Sequence, residues 1–218
     1  MLIKRLMKIL KLKPTFNITR TEIINFLIKK YSYKTYLEIG VNDPNNNFNK
    51  IKIKFKDGVD PIWRRNPRKG NKYEMESDQF FALLNKNKLY DIIFIDGLHT
   101  YEQAKKDIAH SLNHLSSEGT IIVHDCNPPS KWHQRNIEEV KDNEEWNGTT
   151  WKAFVENRIV NPQISMMTVD IDCGCGIIKF GSQTLYNKVE ITKCLTWDYF
   201  KNNKNKLLQL TDVNTFFK

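Results

Sequence analysis

"DIIFIDGLHTYEQAKKDI", Asp91 to Ile108, is the stretch that decides the fold. Four apolar residues, Ile92 to Ile95, run into Asp96. Gly97 and His99 follow, and then apolar residues recur at helical spacing. A short continuous apolar run bounded by a glycine reads as a strand buried on both faces. The next segment reads as a helix with Tyr101, Ala104, Ile108, Leu112 and Leu115 on one face and Gly119 at its end. A buried strand that stops in a carboxylate, with an imidazole three residues on, is either a plain junction or the floor of an active site.

Outward from it the same alternation continues. "TRTEIINFLIKKY" (19–31) reads as a helix and "KTYLEIGV" (34–41) as a short strand. "IKFKDGVDP" (53–61) is a second strand ending at Asp60. "KYEMESDQFFALL" (72–84) is a brief strand, then a helix that Ser77 or Asp78 caps. "TIIVHDCNPP" (120–129) is the fifth strand, and 128–150 is an excursion without a clear pattern. A helix at 149–159, two strands around a turn within 164–181, and a closing helix and tail from Leu195 complete the chain. Strands alternating with helices give an α/β fold. The expectation is a Rossmann-like, doubly wound, mostly parallel seven-stranded sheet with an antiparallel strand at or near one edge. Residues 1–14 form a basic amphipathic helix, and 15–218 one domain.

Composition sets limits. The chain has 218 residues, 40% hydrophobic and 27% charged, enough for a core and too apolar for a disordered chain. No apolar run is long enough to span a bilayer. Lys4, Arg5, Lys8 and Lys11 interrupt the apolar residues of the first segment, which argues against a secretory signal. That segment is read as packing on its own domain or on a second subunit, as in a homodimer, in preference to membrane contact. The net charge of +9 raises nucleic acid as a partner. Lysine and asparagine are spread widely, however, with no evident arginine-rich strip, which argues against it. Four cysteines without a signal peptide read as reduced thiols in a cytoplasmic protein.

In a parallel sheet, ligands bind beyond the carboxyl ends of the strands. Those ends carry Glu38-Ile39-Gly40, Asp60-Pro61, Glu76-Ser77-Asp78, Asp96-Gly97-Leu98-His99 and His124-Asp125. Acidic residues close nearly every strand. Neither a G-x-G-x-x-G loop nor a Walker sequence is present, so the rim suits a cationic or hydroxyl-rich ligand better than a phosphate.

Together "YLEIGV", "GVDP", "YDIIFIDGLHTYEQAKKDI" and "GTIIVHDC" resemble the class I S-adenosylmethionine-dependent methyltransferases. The resemblance is to the small branch that carries "IDGxHxYE" and "HD" on its fourth and fifth strands, and it covers roughly residues 20 to 180. It implies S-adenosylmethionine as cofactor. Glu38, Gly40 and Val41 would meet its methionyl end, with Asp96 and Gly97 bordering it. Asp60 would take the ribose hydroxyls, and Ser77 and Asp78 the adenine. One departure is the loop "EIGVNDPNNNF", which lacks the family's second glycine and has Pro44 instead. That departure keeps a non-catalytic module with a relic pocket as an alternative.

Related O-methyltransferases hold a divalent metal at the fourth and fifth strand ends. By resemblance Asp96 and Asp125 would bind Mg²⁺ or a similar ion, with His124 or Asn127 as a further ligand. Without a metal, His124 or His99 would be the general base beside Asp125. Asp107, His110 and His114 also have ligand spacing, but on a helix face read as solvated. Trp151 is placed as a substrate wall or a core residue, and "DCGCG" (172–176) as a tight turn whose cysteines line the substrate side. The implied activity is O-methylation of a small polar acceptor such as a sugar of a surface polysaccharide or a secondary metabolite. A nucleic-acid methyltransferase is the second reading.

Overall fold

The structure is a computed structural model that describes residues 18–142, 144–187 and 189–218. The basic helix expected at 1–14 lies outside the described residues. Helix α1 (Arg20–Tyr31) precedes β1 (Thr35–Ile39), β2 (Phe55–Val59) and the short β3 (Asn71–Tyr73). Helix α2 (Ser77–Leu83), β4 (Tyr90–Ile95), α3 (Tyr101–Asn113), β5 (Leu115–Val123) and α4 (Thr150–Val160) follow. The chain closes with β6 (Ile164–Val169), β7 (Cys175–Phe180), α5 (Ile191–Cys194), α6 (Trp197–Leu207), β8 (Leu210–Thr211) and α7 (Val213–Phe216).

The sheet order is β3-β2-β1-β4-β5-β7-β6-β8. The first five strands in that order are parallel, and β7 runs antiparallel to both β5 and β6. The expected antiparallel strand near one edge is therefore present. The sheet has eight strands where seven were expected. Leu210 and Thr211, read as tail, pair in parallel with Thr168 and Val169. Two residues are too few to show a period in sequence.

Alternation along β4 explains the double winding. Ile92 and Phe94 face the layer of α1, with Ile23, Ile24 and Leu27 of that helix. Ile93 and Ile95 face Phe80 and Phe81 of α2, Ala104 and Ile108 of α3, and Phe154 of α4. Successive strand residues point to opposite faces, so an unbroken apolar run is what a strand covered by helices on both sides requires. Each such fully buried side chain contributes about 1.5–3 kcal/mol.

Two local expectations are corrected. Helix α3 ends at Asn113, and strand β5 already begins at Leu115. His114 turns the chain there: its Nδ1 lies 2.8 Å from the Lys88 carbonyl, and its own carbonyl accepts from Tyr90 N–H at 2.8 Å. Gly119 is thus a strand residue whose missing Cβ leaves room for Leu115, which a Cβ would approach to 2.6 Å. Helix α2 has Glu76 at its N-cap, so Ser77 and Asp78 lie in its first turn and free their side chains for other contacts.

Candidate active site

The parallel register aligns the ends of β1, β2, β4 and β5. Gly40 N–H donates to the Val59 carbonyl (2.8 Å), Asp96 N–H to Ile39 (2.8 Å) and His124 N–H to Ile95 (2.9 Å). Each hydrogen bond carries the ladder one residue past the strand and fixes where the next side chain points. Gly40 has φ +85°, and a Cβ there would lie 2.0 Å from the Asp96 carbonyl oxygen. Only glycine allows the β1 and β4 ends to touch in this way.

A cavity of about 410 Å³ opens at this junction, lined by Gly40, Asn42, Asp60, Ser77, Asp96 and Gly97 among others. That volume lies in the ordinary range for small-molecule sites. Asp60 is 8% exposed, and its carboxylate accepts Asn42 N–H through Oδ2 and Ile62 N–H through Oδ1, both at 2.8 Å. Two backbone amides hold it rigid, and a carboxylate with about four acceptor positions still has two for a ligand diol. Asn42 takes the left-handed conformation (φ +47°) at the position where a second glycine was missed, as asparagine tolerates. Pro44 is buried and is not part of the lining. On the far wall Gln103 Nε2 lies within 3.1 Å of Ser77 Oγ, Asp78 Oδ1 and Asp107 Oδ1.

A second cavity, about 370 Å³, adjoins the first and shares Asp96 with it. Its wall is a compact set of charges. His124 Nδ1 lies 3.1 Å from Asp96 Oδ1 and 3.2 Å from Asp125 Oδ1, and its Nε2 lies 3.5 Å from Asp172 Oδ2. His99 places Nε2 3.3 Å from Asp96 Oδ1 and Nδ1 3.1 Å from Asp125 Oδ2. Arg20, at the start of α1, reaches Asp172 Oδ2 at 3.1 Å and Asp96 Oδ2 at 3.8 Å. Three carboxylates thus face one guanidinium and two imidazoles, and the set is neutral when both imidazoles are in the imidazolium form.

The pKa shifts follow from that balance. Burial disfavours a charged His124, but Asp96 and Asp125 outweigh it and raise the imidazole well above its ordinary value. Burial likewise opposes a charged His99, and the hydrogen bond to Asp96 with the charge of Asp125 overcomes it. Burial would raise Asp96, yet His124 and His99 hold its carboxyl far below the usual range. Asp172 is held low against burial by His124 and Arg20.

The donor set fits a divalent cation. His124 Nδ1 and His99 Nδ1 are buried without an aligned hydrogen-bond partner, although carboxylate oxygens lie close. Adjacent ligands of an octahedral ion with bonds of about 2.1 Å stand roughly 3 Å apart, the spacing of His124 Nδ1 from both carboxylates. Atoms of Asp96, His124 and Asp125 all lie within 4.8 Å of one another. His124 Nε2 faces two groups, Arg20 Nη1 at 3.2 Å and Asp172 Oδ2 at 3.5 Å, and Asp172 is the acceptor that a ligating imidazole needs for its second N–H. Asn127, also considered a ligand, is engaged elsewhere: Lys204 Nζ donates to its Oδ1 (3.1 Å), and its Nδ2 donates to Asp170 (2.8 Å).

The excursion between β5 and α4 covers this cavity. The Asn147 amide donates to Asp125 Oδ1, and the Trp146 ring stacks on His99 at 5.5 Å. A Cβ on Gly148 (φ +62°) would fall 2.0 Å from the His99 carbonyl oxygen, so glycine lets the two segments meet. His133, Glu145 and Cys173 complete much of the rim.

Most of the expected residues converge. Gly40, Asp60, Ser77, Asp78, Asp96 and Gly97 line the first cavity, and Asp96, His99, His124 and Asp125 the second. Glu38 and Val41 are outside both linings. The buried Glu38 carboxyl turns to the Tyr36 hydroxyl and Asn47, and burial pushes it up to about 8 against those hydrogen bonds. Asp107, read as solvated, is 1% exposed and accepts from Ser77 Oγ at 2.6 Å; the polar pair of Ser77 and Gln103 lets a carboxylate sit inside. His110 and His114 stack on Phe81 and bind nothing together. Trp151 is a core residue, 0% exposed against Phe200, and Trp146 is the aromatic wall in its place. Cys173 does line the second cavity, whereas Cys175 is buried. Arg20, Trp146 and Asn147 were missed. Arg20 gives no signal, since a helix-start arginine looks solvated, and nothing local in the "DCGCG" turn, where Asp172 takes φ +50°, marks its partner.

Residues 38–126 match a family described as a methyltransferase domain. No curated protein sequence matches the chain. Solved structures share its fold. A candidate caffeoyl-CoA O-methyltransferase from Staphylococcus aureus superposes with a TM-score of 0.54 at 18% identity, covering 83% of this chain and 91% of its own. An O-methyltransferase from Bacillus cereus in complex with SAH gives 0.53 at 14% identity, covering 81% and 86%. The O-methyltransferase TomG from Streptomyces achromogenes, in complex with SAM, gives 0.57 at 9% identity, covering 81% and 86%.

Proposed function

We propose that this chain is a class I S-adenosylmethionine-dependent methyltransferase, a reading supported by the match of residues 38–126 to a methyltransferase domain, and that it methylates a hydroxyl oxygen of a small polar acceptor. The observation that carries this reading is Asp96, which lines both cavities. A cofactor in the first cavity and an acceptor in the second would meet at that one side chain. The second cavity has a flat aromatic wall, Trp146, among the charged groups Arg20, His133 and Glu145. Such a mixture suits a hydroxyl-rich ring, such as a sugar, better than a greasy one.

Each residue then has a task. Asp60 accepts hydrogen bonds from the ribose diol. Gly40 and Gly97 let the backbone approach the methionyl end, and Ser77, Asp78 and Gln103 line the side toward the adenine. Asp96, Asp125 and His124 would hold a divalent ion, whose chemistry there is to polarise the acceptor hydroxyl. His99, with 21% of its side chain exposed against 7% for His124, is the imidazole within reach of the acceptor. In its neutral form, which a divalent ion on Asp96 and Asp125 would favour by offsetting their charge, it takes the hydroxyl proton while the oxygen–methyl bond forms and the sulfur–methyl bond breaks. Asp96 and Asp125 stabilise the resulting imidazolium. In-line positioning supplies much of the rate.

The test uses methyl-labelled S-adenosylmethionine with a panel of free sugars, phenols and oligonucleotides. Label is expected in an alkali-stable methyl ether of a hydroxylated small molecule. Label found only in an oligonucleotide, or only on nitrogen, overturns the reading.

A further inference from the structure

The net positive charge is concentrated in one stretch of the sequence, and the fold places that stretch at a sheet edge. Residues 49–73 hold nine Lys and Arg against two Asp, a net +7 of the chain's +9. The expectation of evenly spread charge is therefore corrected, and "RRNPRKGNK" (64–72) is an arginine-rich strip. Neither Asp faces outward: Asp57 is buried against Tyr90 and Asn71, and Asp60 belongs to the cofactor cavity. The stretch forms the free edge of the sheet, where β3 is outermost and β2 next to it. Arg68 N–H donates to Asn49 Oδ1 (2.9 Å), and Gly70 lies against the Lys56 carbonyl, so the 64–69 loop sits beside the 50–56 segment. Lys50, Lys52, Lys54, Arg64, Arg68 and Lys69 are exposed, and among the described residues none has a carboxylate within 4.0 Å.

Large apolar side chains stand among these cations. Ile62 is 69% exposed at one end of β2, and Phe55 is 59% exposed at the other. Lysine on an edge strand guards against edge-to-edge pairing, and Lys72 meets that need alone. It does not account for the loop arginines or for the bare Ile62.

We propose that this edge docks on an anionic phospholipid bilayer. Arginine forks and lysine ammonium groups match lipid phosphates, and each adds attraction within a Debye length of the surface. Ile62 is the group that enters the boundary between headgroups and acyl chains. The contact is peripheral, since among the described residues no helix is long and apolar enough to cross a membrane. A nucleic acid fits the patch less well, because base stacking needs a free aromatic face. Trp63 is 8% exposed with its Nε1–H donated to the Tyr73 carbonyl, and Lys54 Nζ sits over the Phe55 ring at 5.0 Å. Ile62 follows Asp60 and Pro61 of the cavity lining, so docking would hold the cofactor cavity beside the lipid surface.

The experiment is co-sedimentation of the full chain with vesicles of phosphatidylcholine alone and of phosphatidylcholine with phosphatidylglycerol. Binding is expected only to the anionic vesicles, with release as salt rises. The combined variant Arg64→Glu/Arg68→Glu/Lys69→Glu should lose about a hundredfold in affinity, at roughly fivefold for each cation removed. Ile62→Ser should lose several-fold, and a cooperative thermal unfolding transition near the wild-type temperature shows that each variant is folded. If the combined variant does not fold, Ile62→Ser and the salt release of the wild type decide. Equal binding to neutral vesicles, no binding, a folded combined variant that sediments like the wild type, or wild-type binding to a duplex oligonucleotide but not to vesicles would each overturn the proposal.

Discussion

Glu38→Gln separates a buried neutral carboxyl from a ligand-facing carboxylate. In the fold Glu38 is 2% exposed, accepts from the Tyr36 hydroxyl and from Asn47 Nδ2 (3.1 Å), and burial pushes it up to about 8 from an ordinary 4.5. The folded state therefore holds a proton that the unfolded chain releases between those values. Stability from this group is fully present below the unfolded pKa and is lost as pH rises through the folded one. The loss runs at about 1.4 kcal/mol per pH unit, on the order of 3 kcal/mol by pH 7 as a ceiling. Glutamine has the same shape and no such proton. Urea unfolding of both proteins from pH 5 to 8 should show the variant gaining on the wild type as pH rises. Comparing the pair cancels the titrating groups that do not interact with Glu38. A difference that is flat with pH, or a wild type that gains on the variant as pH rises, would refute the buried neutral carboxyl.

Further outcomes follow from single contacts. Gly40→Ala should destabilise by more than about 2 kcal/mol in thermal unfolding, because the residue has φ +85° and its new Cβ would overlap the Asp96 carbonyl. Asp125→Asn should reduce turnover a hundredfold or more while leaving S-adenosylmethionine affinity unchanged, since Asp125 lines only the second cavity. With a bound divalent ion, a chelator should abolish methyl transfer and Mg²⁺ or Mn²⁺ restore it. Thermal unfolding of the wild type should then shift upward when the ion alone is added.

How much of this was legible in the sequence depended on range. The apolar run Ile92–Ile95 showed a strand covered on both faces, because period and burial are local properties. The strand-end rule placed Asp60, Asp96, His99, His124 and Asp125 at one rim before any coordinates, since parallel register alone brings those ends together. What failed was set by distant partners. Arg20 meets Asp172 across 152 residues, and no local pattern marks that pairing. Asp107 appeared solvated on its helix until Ser77, 30 residues away, supplied its hydrogen bond. Glu38 follows the strand-end pattern, yet it faces the α1 side, where Asn47 and Tyr36 hold it. The basic edge was legible in the contiguous stretch 49–73 but was hidden by the abundance of lysine and asparagine elsewhere; what the sequence did not show is that β2 and β3 place it at a free sheet edge.

The central claim is that the Gly40–Asp60–Asp96 cavity holds S-adenosylmethionine. Calorimetric titration of the cofactor into the wild type and Asp60→Ala tests it most directly. The account predicts one site per chain in the wild type and a ten- to hundredfold loss in the variant, as a buried charged acceptor is removed. A wild type that gives no binding heat at any temperature tried and no cofactor-induced rise in melting temperature would contradict it. So would an Asp60→Ala protein that binds as tightly as the wild type.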